Sequence, residues 1–175
     1  GKPLYEMFGA GNAPIPFTRN ISIFDVETTL SRVEAGIQQG FGIIRLKVGI
    51  RGAGGLPGYE RDYQVVKQAH QIIQACQKPI LLISDANQGF RDVETAVSFC
   101  QRVEGMLDWL EQPTLASDLL AFSKVRQAAS VPLMADEAVH GYEQARLLLE
   151  LGGVDYINVK LMKTGGLLRA LDIID

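Results

Sequence analysis

The stretch ILLISDANQGF, residues 80–90, contains the pattern that decides the fold. It begins as a short apolar run and ends in two polar residues, Asp85 and Asn87, followed by a glycine. A short apolar run bounded by polar and turn-forming residues is typical of a strand buried in a parallel sheet. Polar residues that follow such a strand lie at its carboxyl end, where parallel α/β folds place their active sites. The stretch therefore predicts an α/β protein with functional residues at the strand ends.

The same pattern recurs on both sides of this stretch, with β-type runs alternating with segments of helical period. The predicted strands are 21–24, 43–48, 80–84, 106–110, 132–135 and 156–159. The predicted helices are 26–39, 59–77, 93–102, 117–129, 142–151 and 167 to the end. Asp25, Asp92 and Ser117 are predicted N-caps, and Gly40 and Gly152 are predicted to follow helix ends. Six βα units of roughly 26 residues each indicate a (β/α) barrel or a doubly wound sheet.

The glycine motifs favour the barrel. Neither GxGxxG after a strand nor GxxxxGK[ST], which would indicate a doubly wound sheet, occurs in the sequence. The Gly-rich stretch 52–58 predicts a mobile loop over a site rather than a phosphate cradle. Residues 1–18 contain three prolines and no strong period, and predict a linker that enters the first strand. We therefore predict an α/β fold in which residues 19–175 form about six βα units of a partial TIM-type barrel.

The composition restricts the class of protein. The 175 residues are 47% hydrophobic and 21% charged with a net charge of −3, so the chain is globular and nucleic-acid binding is not expected. No apolar run approaches the roughly 20 residues that cross a bilayer. The two cysteines, Cys76 and Cys100, lack metal-binding spacing and are expected to be buried free thiols in a reducing compartment. The expectation is a cytoplasmic protein without membrane or nucleic-acid partners.

Ionisable or amide side chains lie at or just after the carboxyl ends of five of the six predicted strands. In a parallel barrel these ends share one rim, so we expect the side chains to converge there. In chain order they are Arg45 and Lys47, Asp85 and Asn87, Glu111, Asp136 and Glu137, and Lys160 and Lys163.

Three of these residues are acids at spacings of 26 and 25 positions: Asp85, Glu111 and Asp136. Carboxylates brought together at low dielectric repel one another unless a cation lies among them. All-oxygen ligands without histidine or cysteine suit a hard ion, so the sequence predicts Mg²⁺, with Mn²⁺ as a substitute. The alternative interpretation is that each acid begins a loop or caps a helix.

Two lysines, Lys47 and Lys160, lie on either side of the three acids in chain order. Strands two and six stand on opposite sides of a barrel, so the two amines are expected to face each other across the site. A neighbouring cation favours the neutral amine, which can act as a base, and Arg45 could supply part of that field. The alternative is that each lysine lies on the surface with its stem packed.

At these residues the chain resembles the enolase superfamily, in the mandelate racemase and muconate-lactonising family. The resemblance rests on six segments that occur in order. They are GKPLYEMFGA, RLKVG, SDANQGF, WLEQP, MADEA and INVKLMKTGG. The last segment looks most like dipeptide epimerases.

The resemblance implies a set of roles. Asp85, Glu111 and Asp136 would bind Mg²⁺, and Lys47 and Lys160 would be the acid/base pair. Arg45, Asn87 and Lys163 would support them. The implied reaction removes the proton next to a carboxylate to give an enolate, epimerising a dipeptide such as Ala-Glu. The family usually has Lys-x-Lys where this chain has Arg45-x-Lys47.

Other interpretations stay open. o-Succinylbenzoate synthase, N-succinylamino-acid racemase and muconate cycloisomerase resemble the chain at the same residues. An interpretation of another class is a non-catalytic, metal-binding partial barrel that self-associates through its edge strands. By this resemblance, residues 1–18 would be the linker from a capping domain. That domain and barrel strands seven and eight of the family are missing here, so we expect this chain alone to be inactive. A small carboxylate or dipeptide substrate and a homo-oligomer are expected for the complete enzyme.

Overall fold

The structure is a computed structural model that describes residues 1–9, 11 and 13–174; Ala10, Asn12 and Asp175 lie outside the described residues. The strands are β1 (Thr18–Ile21), β2 (Ile43–Lys47), β3 (Leu81–Asp85), β4 (Trp109–Glu111), β5 (Leu133–Ala135) and β6 (Tyr156–Ile157). The helices are α1 (Leu4–Met7), α2 (Val26–Gln38), α3 (Glu60–Cys76), α4 (Val93–Arg102), α5 (Leu119–Ala128), α6 (Tyr142–Glu150), α7 (Leu161–Thr164) and α8 (Leu167–Ile174).

The strands form one parallel sheet in the order β1-β2-β3-β4-β5-β6, the order in which they occur along the chain. A doubly wound sheet reverses its strand order at a switch point, and this sheet does not. The order is that of consecutive units of a (β/α) barrel. The predicted α/β fold is therefore confirmed.

Strand β2 shows how the sequence places its polar residues. Ile44 and Leu46 are fully buried, whereas Arg45 and Lys47 are partly exposed. Side chains alternate between the two faces of a strand, so the buried pair faces the helices and the charged pair faces away from them. A Cβ on Gly36 of α2 would come within 2.9 Å of the Ile44 side chain, so this helix packs closely on β2.

Strands β2, β3 and β5 differ from their predicted bounds by one residue at most at either end, and β1, β4 and β6 differ by more. Strand β1 occupies Thr18–Ile21 rather than 21–24, because the following residues lead into α2 and Asp25 caps that helix through the backbone nitrogen of Thr28, at 2.8 Å. Strand β4 begins at Trp109 rather than 106, because the Asp108 carboxylate accepts a hydrogen bond from the backbone of β3. Strand β6 ends at Ile157 rather than 159, since Lys160 already stands at the N-cap position of α7.

The predicted helix ends are largely confirmed. Asp25 and Asp92 cap α2 and α4, and Gly40 and Gly152 follow α2 and α6 with φ values of +85° and +60°. Ser117 is not the N-cap of α5, because the neighbouring Asp118 accepts a hydrogen bond from Ala121 N at 3.0 Å. The last predicted helix is observed as α8, and the final residue of that prediction, Asp175, lies outside the described residues.

Both cysteines are free thiols. Cys100 is fully buried as predicted, and burial raises the pKa of its thiol to about 12. Cys76 is only half-buried, with its sulfur hydrogen-bonded to the carbonyl oxygen of Ile73 in the preceding turn. In the described part of the chain no helix has both the length and the apolar character needed to cross a membrane.

Candidate active site

Strand register places Lys47, Asp85 and Glu111 in one row. Lys47 is the partner of Asp85 across β2 and β3, and Asp85 is the partner of Glu111 across β3 and β4. Neighbouring strands lie only about 4.8 Å apart, so adjacent side chains in such a row can touch. Both carboxylates are buried, with Asp85 0% and Glu111 1% exposed. The structure thus brings together three predicted site residues from three strands.

The guanidinium of Arg45 lies between the two buried carboxylates. Its Nη2 atom is 2.5 Å from Asp85 Oδ2 and also contacts Glu111 Oε2. Its Nε atom is buried without a hydrogen-bond partner. One cationic nitrogen is therefore shared by two of the three carboxylates that the sequence predicts as metal ligands.

Lys47 has two acceptors at the rim. Its Nζ lies 2.6 Å from Asp85 Oδ2 and 2.5 Å from Asn87 Oδ1. Asn87 in turn donates from Nδ2 to Glu137 Oε1 at 2.9 Å, which links the ends of β3 and β5. The Lys47 side chain is only half-buried, so its amine is both oriented by the protein and open to solvent.

Asp136 anchors the other end of the site. Lys160 contacts its Oδ2, and Lys163 Nζ lies 2.6 Å from its Oδ1 and 3.2 Å from the carbonyl oxygen of Asn158. Asp136 is buried, Lys163 is largely buried, and Lys160 is the more exposed of the two lysines. The three carboxylates, Asp85, Glu111 and Asp136, form a row of carboxylates with a lysine amine at each end. Lys47 contacts Asp85, and Lys160 contacts Asp136.

The carboxyl groups differ in how readily they hold a proton. Burial, reinforced by the charge of Asp85, raises the pKa of Glu111 to about 7 and outweighs the opposing charge of Arg45. Burial also acts to raise the pKa of Asp136, but hydrogen bonds from Lys160 and Lys163 outweigh it and lower that pKa below its usual value. Glu111 therefore takes up a proton near neutral pH, whereas Asp136 stays ionised.

Two polar residues of the site are not in the sequence prediction. Asn158 donates from Nδ2 to Glu111 Oε1 at 2.8 Å, and its position two residues before Lys160 could have indicated it. Gln112 is fully buried, and its Oε1 accepts hydrogen bonds from the backbone nitrogens of Asp136 (2.9 Å) and Ala138 (3.1 Å). No feature of the sequence marks Gln112 as the residue that orients the turn at Asp136.

The donor set suits a hard divalent cation. Asp85, Glu111 and Asp136 supply only carboxylate oxygens, and the first two already share one cationic atom of Arg45. As the side chains stand, no three His, Cys, Asp or Glu residues among those described surround a common ion position. The carboxylate oxygens instead form ion pairs with arginine and lysine nitrogens. The magnesium site stays a prediction.

A cavity of about 1040 Å³ lies beside the rim rather than over the carboxylates. It is bounded by residues 49–51 and Gly58 after β2, by the turn after β3 and by helix α4, and it meets the site at Asn87. The Gly-rich turn is closed by a 2.6 Å hydrogen bond from Gly52 N to Gly58 O, and Ala53 within it is buried. Of the predicted loop 52–58, only Gly58 lines the cavity.

Comparisons with known proteins identify the family to which this fold belongs. A family model described as Enolase C-terminal domain-like matches residues 29–175. Among curated proteins, the chain is 32% identical over 171 residues to an L-Ala-D/L-Glu epimerase of Bacillus subtilis, covering 95% of the chain and 44% of that protein. It is 28% identical over 174 residues to an N-succinyl-L-Arg/Lys racemase of Bacillus cereus, covering 98% and 44%.

A solved structure gives a similar result. A dipeptide epimerase from Cytophaga hutchinsonii, complexed with Mg and the dipeptide D-Ala-L-Val, superimposes with a TM-score of 0.85 at 31% identity. The match covers 98% of this chain and 44% of that one, so the chain spans less than half the length of these relatives. The fold, the rim and the family match together define an enolase-type barrel domain. The chain belongs to the Enolase C-terminal domain-like family of the enolase superfamily, whose named relatives here are racemases and epimerases.

Proposed function

We propose that the protein containing this chain inverts the configuration of a carbon atom next to a carboxylate. The observation that carries the proposal is the pair of lysine amines on either side of a row of buried carboxylates, with Lys47 on Asp85 and Lys160 on Asp136. Two bases on opposite sides of a substrate can remove a proton from one face and return one to the other.

The side chains of the rim have separate roles in this proposal. Lys47 takes the α-proton of one epimer and Lys160 that of the other, and each returns a proton when the reaction runs in the opposite direction. Arg45 cannot itself exchange protons, but it keeps positive charge beside Lys47. Asn87 and Lys163 hold the two ends of the site through Lys47 and Asp136.

We assign Asp85, Glu111 and Asp136 as the residues that would hold Mg²⁺, or Mn²⁺ in its place. A bound divalent cation would stabilise the negative charge that develops when the α-proton leaves. The buried, all-oxygen donor set supports this assignment, and the epimerase from Cytophaga hutchinsonii is a magnesium complex. Asn158 and Gln112 would keep Glu111 and the turn at Asp136 in place.

The proposed substrate is a dipeptide such as Ala-Glu. Support comes from the similarity to the Bacillus subtilis epimerase and to the dipeptide complex from Cytophaga hutchinsonii. The second candidate is racemisation of an N-succinylamino acid, favoured by the similarity to the Bacillus cereus racemase. Both use the same proton transfer at the same residues.

We also propose that residues 1–18 are a linker and 19–175 part of the catalytic barrel, and that the complete enzyme is a homo-oligomer.

A deuterium-exchange assay tests the proposal. The complete protein is incubated with Mg²⁺ in D₂O with Ala-Glu dipeptides or with N-succinylamino acids, and the α-proton signal is followed by NMR. Exchange and inversion of the dipeptides support the first candidate, and exchange of the N-succinyl compounds supports the second. Absence of exchange with both classes, in protein that binds Mg²⁺, would show that the rim does not catalyse this proton transfer.

A further inference from the structure

A buried ion pair lies directly behind Lys47, at the start of α3. Arg61 is 1% exposed and Asp62 0%, and Arg61 Nη1 lies 3.0 Å from Asp62 Oδ1. Burying a charged pair costs desolvation free energy, and such a pair is retained where hydrogen bonds satisfy its remaining donors and acceptors. The partners of these two residues therefore indicate what the pair does.

The remaining hydrogen bonds of Arg61 join three separate segments of the chain. Its Nε donates to the carbonyl oxygen of Phe24 at 2.9 Å, and its Nη2 donates to Thr29 Oγ1 at 2.8 Å. Its Nη1 donates to the carbonyl oxygen of Lys47 at 3.0 Å. Arg61 thus ties the end of β2 to the segment between β1 and α2 and to α2 itself.

Asp62 holds the other side of the same peptide segment. Its Oδ2 accepts a hydrogen bond from Gly49 N at 2.7 Å. Gly49 has φ +90° and packs against Gly89, where a Cβ would lie only 2.2 Å from the Gly49 carbonyl oxygen. Residues 47–49 are therefore fixed from behind by the ion pair and from the side by the turn after β3.

We propose that Arg61 and Asp62 are positioning residues for Lys47. They fix the backbone from which the Lys47 side chain extends, and so aim its amine at one face of the substrate. The inference rests on the proposed two-lysine function. It goes beyond that function by assigning a role to a buried pair that does not touch the reacting atoms.

Removing a purely structural pair would slow α-proton exchange with both epimers. Removing a pair that positions Lys47 would slow exchange only with the epimer that Lys47 serves. The test variant is Arg61→Met/Asp62→Asn in the complete protein with Mg²⁺. Removing both charges together leaves no unpaired buried charge, and the asparagine can still accept from Gly49. The rate of α-proton exchange in D₂O is measured for each epimer separately, and Lys47→Ala identifies the epimer that Lys47 serves.

Misplacing a catalytic group by about 1 Å can cost roughly 100-fold in rate. We expect the double variant to lose about 10- to 100-fold in exchange with the Lys47 epimer and less than roughly threefold with the other. Arg61→Lys is the second variant, because it keeps the charge beside Asp62 but loses the planar fork that reaches the Lys47 and Phe24 carbonyl oxygens. The same unequal loss is expected from it.

The control is a second, more exposed arginine–aspartate pair, Arg126→Met/Asp155→Asn. Arg126 binds Asp155 at 2.6 and 2.9 Å, and Asp155 accepts from Leu133 N at the amino end of β5, away from the rim. This control variant should change the exchange rates of both epimers by the same small factor. Equal loss for both epimers in the Arg61 variants, or no loss, would overturn the inference. If the unaltered protein exchanges neither epimer, it is the proposed function that fails.

Discussion

Lys47 Nζ lies 2.6 Å from Asp85 Oδ2, and the two residues are direct partners across β2 and β3. Strand register therefore places a proposed base and a proposed metal ligand side by side. Since Asp85 is fully buried and Lys47 is half-buried, the pair sits at the boundary between the core and the solvent. Substitutions at the rim should accordingly change the reaction directly. Substitutions behind the rim should act by moving the rim side chains or by lowering the stability of the fold.

Asp85→Asn should weaken Mg²⁺ binding by at least about tenfold, because it replaces a buried anionic ligand with a neutral amide. Glu111→Gln should act in the same direction. Isothermal titration calorimetry on the complete protein measures both affinities. The control is Asp118→Asn, since asparagine is an equally good helix N-cap and Asp118 caps α5 away from the carboxylate row. Unaltered affinity in Asp85→Asn would mean that this residue does not bind the metal.

Lys47→Ala and Lys160→Ala should divide the exchange reaction between them. Each variant should lose α-proton exchange with one epimer and keep it with the other, while overall inversion stops in both, because each lysine faces one side of the substrate. NMR in D₂O measures the exchange, and Lys124→Ala on the exposed surface of α5 is the control. Equal loss of exchange with both epimers would favour a one-base reaction instead.

The stability of the metal-free protein should fall as pH rises from about 4.5 to 7. The pKa of Glu111 is raised from 4.5 to about 7 in the folded chain, so in this range the folded state binds a proton that the unfolded state has lost. Above about pH 7 both states are ionised and the loss is complete. Glu111→Gln should remove this dependence. The free energy of unfolding of the variant, relative to that of the unaltered protein, should therefore rise by up to about 3 kcal/mol from pH 5 to pH 8.

Urea unfolding of both proteins at the two pH values measures this difference. Added Mg²⁺ should stabilise the unaltered protein more at pH 8 than at pH 5, because the ligand must be deprotonated. A difference in unfolding free energy that stays the same at pH 5 and pH 8 would contradict the raised pKa of Glu111.

Gly89→Ala should destabilise the fold by about 2 kcal/mol or more, because the new methyl group would lie 2.2 Å from the Gly49 carbonyl oxygen and force the turns after β2 and β3 apart. Urea unfolding gives the change. Gly42→Ala is the matched control, since a Cβ there meets nothing within 4 Å and should change the unfolding free energy by less than about 0.5 kcal/mol. Equal stability of the two variants would show that the turns separate freely.

The sequence by itself determined the order of the six strands and of the six longer helices, and the edge at which the ionisable residues gather; the four-residue helices α1 and α7 were not predicted. Apolar runs of strand length alternate with segments of helical period, and parallel strands joined by helices all end at one edge. The five strand ends that carry ionisable residues could therefore be assigned to one site before any contact was known. Asp25 and Asp92 were predictable as helix caps because capping is local, involving residues three positions apart.

Only the tertiary structure decided which charges meet. The Arg45 contacts with Asp85 and Glu111 and the Asn158 contact with Glu111 join residues 40 or more positions apart. Such contacts depend on strand register and on rotamers chosen in the packed protein, which local periodicity does not encode. The start of β1 at Thr18 and the buried pair Arg61–Asp62 behind Lys47 have the same origin, because both are set by what the neighbouring segment offers across the fold.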